Sequence, residues 1–351
     1  GGPFGGPDRG IIPQRRVESA NYLAYGVSTT FDPATPAEDT FPVAELTQAG
    51  KLIGPRVFTT ADPLVGTGDS SVGDPDAALH HADRLSNWGA LGIKQYYQPR
   101  RDQRQWVTQA ARARGNILVT GEGMDFPYNL AMIMDGQTAW EHPILDIPLY
   151  DDVVQFVARS GIVYNPELIT PGQGRYILEH YLATSDLPND PKQRNWVNWQ
   201  WLARKQSYSL RPHSEYPVML SAEAAKDIVR AGGKVGVGGH GQEQGLGTHW
   251  EIWTLGLSMT PQEALEAATI ANARYLGLDR DLGRVTAGKI ADLIVLDADP
   301  RTDLRNNTRL DVVIKDGRMF DAMTLDQRWP TVVPYGPRRW TQAAAGAVVS
   351  P

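Results

Sequence analysis

The chain has 351 residues, 41% of them hydrophobic, and a net charge of −6: enough to bury one large α/β domain or two smaller ones, with no strongly basic stretch to supply a nucleic-acid surface. It contains no cysteine, which excludes disulfides, thiolate metal ligands and a cysteine nucleophile. No apolar run reaches the length of a membrane span. The chain opens with the glycine-rich Gly1-Gly2-Pro3-Phe4-Gly5-Gly6. Residues 25–31 read as a buried strand that stops at Asp32-Pro33, and 56–60 as the next. A helix is predicted over about 75–88, with apolar Ala77, Ala78, Ala82 and Leu85 on one side, followed by a strand over 93–97. A helix over 102–114, strands over 116–120, 137–141 and 161–165, a helix over 222–231 and a strand over 234–238 continue the rhythm.

Helices set between strands give a parallel sheet, and right-handed crossovers wind such a sheet into a barrel or a doubly wound layer. No Gly-x-Gly-x-x-Gly follows an early strand, so a dinucleotide fold has no support. Apolar strands ending in Asp32, Lys94, Glu122, His142 and His240 favour a barrel that displays its chemistry at the C-terminal ends of its strands. Seven strands are counted. His80-His81 falls on a helix, where adjacent side chains diverge, so packing or solvation is its expected role.

Two segments break the alternation. Residues 170–217 form a long insertion rich in aromatic and basic side chains, including Trp196, Trp199, Trp201, Tyr208 and His213, which suggests a folded lid or a subunit contact. After Gly283, strands over 288–297 and 312–318, the second running into a tight Asp316-Gly317 turn, suggest a small β unit over 283–335 beside a main domain of 1–282. Residues 336–351 read as an extended tail.

Gly92-Ile93-Lys94, Glu141-His142-Pro143, Gly238-Gly239-His240 and, above all, the stretch from Thr260-Pro261-Gln262-Glu263-Ala264-Leu265 through Asn272-Ala273 to Ala287-Gly288-Lys289-Ile290-Ala291-Asp292-Leu293 resemble the amidohydrolase superfamily, in its imidazolonepropionase and prolidase-like branch. The chain looks like the C-terminal part of long proteins that carry a TolB-type β-propeller ahead of the barrel. The resemblance implies a (β/α)8 TIM-like barrel whose first strand is missing from this chain, with residues 283–335 as strands of a composite β-sandwich. It implies a metal-dependent hydrolase of an amide, cyclic amide or related ester, acting through a metal-activated water. Lys94 matches the lysine that is carboxylated to bridge two ions, and His142 matches a histidine ligand.

The chain departs from that pattern at two positions. Glu122 stands where a histidine is usual, and His240 where an aspartate that ligates metal and takes a proton is usual. The resemblance therefore implies Lys94, Glu122, His142 and His240 as the ligand set for one or two divalent ions, with zinc the first expectation, and His240 and Lys94 as catalytic groups. His249 and Glu251 either line the substrate pocket or support it from the start of the next helix. Tyr96 and Trp201 are further candidates for substrate contact.

The family's His-x-His is absent from the seven histidines. An upstream chain or segment is therefore expected to supply the first strand and a propeller, and a homo-oligomer is expected as well. Propeller-bearing relatives are often exported. Two other functions stay open. One is a non-catalytic barrel serving as scaffold for the upstream chain. The other is a metal-free esterase using Ser214 or Ser221 with His213 or His240, although no Gly-x-Ser-x-Gly elbow is present.

Overall fold

The computed structural model describes residues 16–115, 118–169, 176–205 and 208–338; the glycine-rich opening and the end of the tail lie outside the described residues. Strands β1 (Thr29–Asp32), β2 (Arg56–Thr59), β3 (Leu64–Val65), β4 (Gly92–Tyr97), β5 (Leu118–Gly121), β6 (Ala139–Glu141), β7 (Val163–Asn165) and β8 (Lys234–Val235) all pair in parallel. Ladders join β1 to β2, β3 to β4 to β5, and β6 to β7 to β8. Leu91 N–H donates to the Thr59 carbonyl at 2.9 Å, so β2 borders the base of β4 while β3 borders its top. A bridge between Glu122 and Glu141, with Gly123 N–H on the Glu141 carbonyl at 2.7 Å, links β5 to β6. Among the described residues no ladder joins β1 to β8.

Local chemistry explains the elements. In the helix Pro75–Trp88, Asp74 accepts from Ala77 N–H at 2.8 Å, Pro75 fills the first turn, and Gly89 ends it in the left-handed conformation. Ala78, His81, Ala82 and Leu85 form its buried stripe, so His81 is a packing residue and His80 is exposed. The expected strand over 25–31 is shorter. Residues Val17–Ala24 are a helix, Tyr25 caps it, and Gly26 at φ 78° turns the chain before β1 begins. The expected helix over 102–114 is Arg101–Ala113, and that over 222–231 is Val218–Arg230.

Two cores flank the sheet. The smaller surrounds β4 and β5, with Leu64, Leu85, Ile93, Val107 and Val119. The larger surrounds β6 to β8, with Trp140, Tyr164, Val235 and Trp250. The insertion contributes three helices, Ile177–Thr184, Pro191–Trp196 and Trp199–Arg204. It packs sideways: Trp196 Nε1 donates to the Met323 carbonyl at 2.9 Å, and Gln193 Nε2 donates to the Tyr25 hydroxyl at 2.7 Å. Residues 170–175 and 206–207 of the insertion are not among those described.

Strands β9 (Leu293–Leu296), β10 (Leu310–Lys315), β11 (Arg318–Asp321) and β12 (Gln327–Trp329) form one antiparallel sheet in the order β12-β11-β10-β9. These four strands are the part of the chain for which a share in a composite sandwich was expected. Asp316 (φ 51°) and Gly317 (φ 73°) make the expected tight turn between β10 and β11, both in the left-handed region that two-residue hairpins need. Val313 and Phe320 bury this sheet against Ala20, Leu23 and Trp196, and Arg56 pairs with Asp292 at 2.8 Å.

Candidate metal centre

Strands β4 to β8 bring one cluster of titratable side chains together beyond their C-terminal ends. Lys94 in β4 is buried, with its side chain 2% exposed, and its ammonium is ion-paired with Glu141, the last residue of β6. The same ammonium is 3.9 Å from Glu122 Oε1. The other oxygen of Glu141 accepts from Thr120 Oγ1 at 2.8 Å and from the Tyr275 hydroxyl at 3.2 Å. Burial opposes the charge on Lys94, but Glu141 and Glu122 outweigh it and raise its pKa.

The resemblance implied a carboxylated, metal-bridging lysine at this position. In the structure Lys94 is the counter-charge of Glu141 and Glu122.

The donors that converge are His142, Glu167 and His240, each offering one ligand atom, all within 4.8 Å of one another. His142 Nδ1 lies 3.2 Å from Glu167 Oε2, and His240 Nε2 lies 3.9 Å from the same oxygen. The other nitrogen of each ring is engaged: His142 Nε2 meets Glu122 Oε1 at 3.2 Å, and His240 Nδ1 meets Gln242 Oε1 at 2.8 Å. With an N–H on each engaged nitrogen, His142 Nδ1 and His240 Nε2 would be the nitrogens that offer lone pairs to an ion in the shared space. His142 Nδ1 is buried and has no hydrogen-bond partner of acceptable geometry. Glu122, for which the resemblance implied direct ligation, lies within hydrogen-bond reach of His142 Nε2.

The backbone is bent to achieve this. His142 (φ 71°), Glu167 (φ 48°) and His240 (φ 48°) all occupy the left-handed region, which bulky residues rarely adopt. Such strain persists where surrounding structure over-determines it, and it clusters at functional sites. Gly238 allows the close approach of β7 and β8, since a Cβ there would lie 2.6 Å from Glu167 Cγ. Asn272 holds the strand by accepting from Val237 N–H at 3.0 Å and donating to its carbonyl at 2.9 Å.

Burial pushes the Glu167 carboxyl up to about 7, with His142 partly offsetting it. Burial likewise disfavours a charged His142, but Glu122 and Glu167 outweigh it and raise its pKa. His240 is lowered by burial and by His142. Glu122 is held below its ordinary value because His142 and Lys94 outweigh its burial.

The remaining candidates divide. Tyr96, 39% exposed, lies over the Lys94 ammonium at 5.5 Å and hydrogen-bonds Glu122, so it borders the cluster. His249 and Glu251 do not line the site; both are buried in the helix Leu246–Leu255. His249 Nε2 meets the Tyr25 carbonyl at 2.8 Å, and Glu251 accepts from Leu168 N–H at 2.9 Å and Ile169 N–H at 3.0 Å, fixing the loop after Glu167. Trp201 is an exposed residue of the insertion, stacked with Arg204. Ser221 is buried in its helix and the His240 ring is engaged by Gln242, so the serine–histidine arrangement gains no geometry. The His213 side chain is not among those described.

Sequence reasoning missed Glu167 and Glu141. The segment Val163-Tyr164-Asn165-Pro166-Glu167 carries the signal applied elsewhere, an apolar strand followed by an acid, displaced by two residues.

Residues 222–320 match the model of the amidohydrolase family. An imidazolonepropionase of Shouchella clausii (strain KSM-K16) is 31% identical over 118 residues, which is 31% of this chain and 26% of that protein. The match thus spans about a quarter of that relative's length. Among solved structures, a Xaa-Pro dipeptidase with bound methionine in its active site superposes with a TM-score of 0.64 at 18% identity, over 87% of this chain and 79% of that one. A putative prolidase from Bifidobacterium longum gives 0.61 at 22% identity, over 93% and 79%. These structures share this chain's fold.

Proposed function

We propose that this chain, which belongs to the amidohydrolase superfamily, is the barrel of a metal-dependent hydrolase that cleaves a C–N bond, amide or cyclic amide, in a small molecule. The observation that carries the reading is the convergence of His142, Glu167 and His240, with a ring nitrogen of each histidine facing one carboxylate oxygen. Two imidazoles and a carboxylate are a donor set that suits zinc and leaves a position open for water or substrate. A bound divalent ion would supply Lewis-acid polarisation of the scissile carbonyl and acidify a water molecule.

The chain's own residues do the rest. Glu122 and Gln242 fix the two rings by accepting from His142 Nε2 and His240 Nδ1. Glu251 pins the backbone beyond Glu167. Lys94 neutralises Glu141 and Glu122, which keeps the buried anions beside the donors from repelling one another. His240 has the most exposed ring of the donor set, at 28%, and Tyr96 is exposed beside Glu122, so substrate approaches from their side. The names of the matched relatives, an imidazolonepropionase and a Xaa-Pro dipeptidase, direct the first assays to cyclic amides and to dipeptides ending in proline. Activity on such a panel should vanish on chelation, return with zinc or manganese, and be lost in Glu167→Gln. Full activity of a chelator-stripped, metal-free sample would sink the reading.

A further inference from the structure

A second cavity lies apart from the strand-end cluster, enclosed by the helix Leu246–Leu255, the insertion around residues 185–192 and the edge of the C-terminal sheet. Its volume is about 330 Å³, the size of a small-molecule site. None of Lys94, Glu122, His142, Glu167 and His240 lines it. Tyr25, Leu246, Trp250 and Trp253 give it an apolar, aromatic side, opposite polar residues such as Asp190 and Lys192.

Two cations reach this cavity, Lys192 and Arg309. Lys192 is only 9% exposed. Its ammonium lies 4.6 Å from the centre of the Tyr25 ring and has no hydrogen bond or ion pair among the described residues. Two acids share the rim without forming an ion pair with that ammonium: Asp190 caps a helix by accepting from Gln193 N–H at 2.7 Å, and both oxygens of Asp186 accept from Asn189 Nδ2 at 3.0 Å. A largely buried lysine gains from a counter-charge at its ammonium, and an aromatic face supplies only part of that compensation. Burial lowers the lysine's pKa to about 8, with Asp190 and Asp321 acting in the opposite direction.

We propose that this cavity is a binding site for a small monocarboxylate with an aromatic or branched apolar body, its carboxylate on the Lys192 ammonium and its body against Trp250 and Trp253. The carboxylates of Asp186 and Asp190 in the same lining weigh against a dianion such as phosphate. Arg309 at the exposed edge gives a second donor to the same carboxylate, and its own guanidinium makes no ion pair among the described residues.

The test is phenylacetate binding to the full chain, followed by tryptophan fluorescence, with neutral phenylacetamide as the control of equal shape. Phenylacetate should saturate a single site roughly tenfold or more tightly than the amide, Lys192→Met should remove that preference, and Glu167→Gln should leave it intact. Should Lys192→Met fail to fold, the exposed Arg309→Gln and the native protein decide. In the native protein, trinitrobenzenesulfonate should modify Lys192, located by peptide mass, and phenylacetate should slow that modification. Equal affinity for acid and amide, unprotected modification of Lys192, or no saturable binding of phenylacetate or isovalerate would overturn the proposal.

Discussion

Asp32 closes β1 and Glu167 follows β7, and both are acids at the C-terminal end of a parallel strand, yet they are used in opposite ways. Asp32 is satisfied within three residues: its oxygens accept from Ala34 N–H at 3.2 Å, Thr35 N–H at 3.0 Å and Thr35 Oγ1 at 2.7 Å, so it builds its own loop. Glu167 is held in a left-handed backbone and turned across the sheet toward rings from β6 and β8. The early strands spend their polar ends on local structure or on charge balance, while β6 to β8 pool theirs. A strand-end acid is thus a candidate ligand only when its own loop does not consume it.

The contrast is broken most severely at Lys94, the early-strand residue that reaches the late-strand cluster. Lys94→Met leaves Glu141 and Glu122 buried without their cation and should cost about 3–5 kcal/mol in urea unfolding. The double variant Lys94→Met/Glu141→Met should regain most of that loss. A cost below about 1 kcal/mol for the single variant would mean that the pair does not hold the two halves of the sheet together.

Next in size is a pH effect in the late half. Burial depresses His249 from 6.5 to about 4 in the folded protein. Between those values the unfolded chain takes up a proton that the folded chain refuses. Stability should therefore rise from pH 4 to pH 6.5 and be flat in this respect above it, with up to about 3 kcal/mol lost on full acidification. Unfolding curves of His249→Gln across the same range should lose this slope.

The smallest effect sharpens the comparison. Glu122→Gln weakens the acceptor that orients His142 and should reduce zinc affinity by about 10–100-fold. Asp32→Asn, at the self-contained strand end, should leave that affinity unchanged. Calorimetric titration of both variants checks the pair.

Much of the fold was legible because it rests on periodicity. The apolar stripe and the Asp74 and Gly89 boundaries of Pro75–Trp88 are local signals, and so is the Asp316-Gly317 turn. Lys94, His142 and His240 were found because each lies in or just after an apolar, strand-like run, at β4, β6 and β8. Residues 25–28 misled, since Tyr25, Val27 and Ser28 have strand-like composition but Tyr25 caps a preceding helix. β3 has two residues between Pro63 and Gly66, too few to show alternation. The role of Glu122 and the charge state of Lys94 depend on Glu141 and Glu167 arriving from other strands, which no single segment encodes. The left-handed backbone of the donors is likewise a consequence of tertiary packing.

The most direct measurement is zinc binding to chelator-stripped protein, wild type beside His142→Ala, Glu167→Gln and His240→Ala, with circular dichroism confirming that each variant is folded. The account predicts a saturable zinc site in the wild type whose affinity falls by at least roughly tenfold in each of the three variants. Undiminished zinc binding in folded Glu167→Gln would contradict it, because the carboxylate on which both histidines converge would then hold no metal.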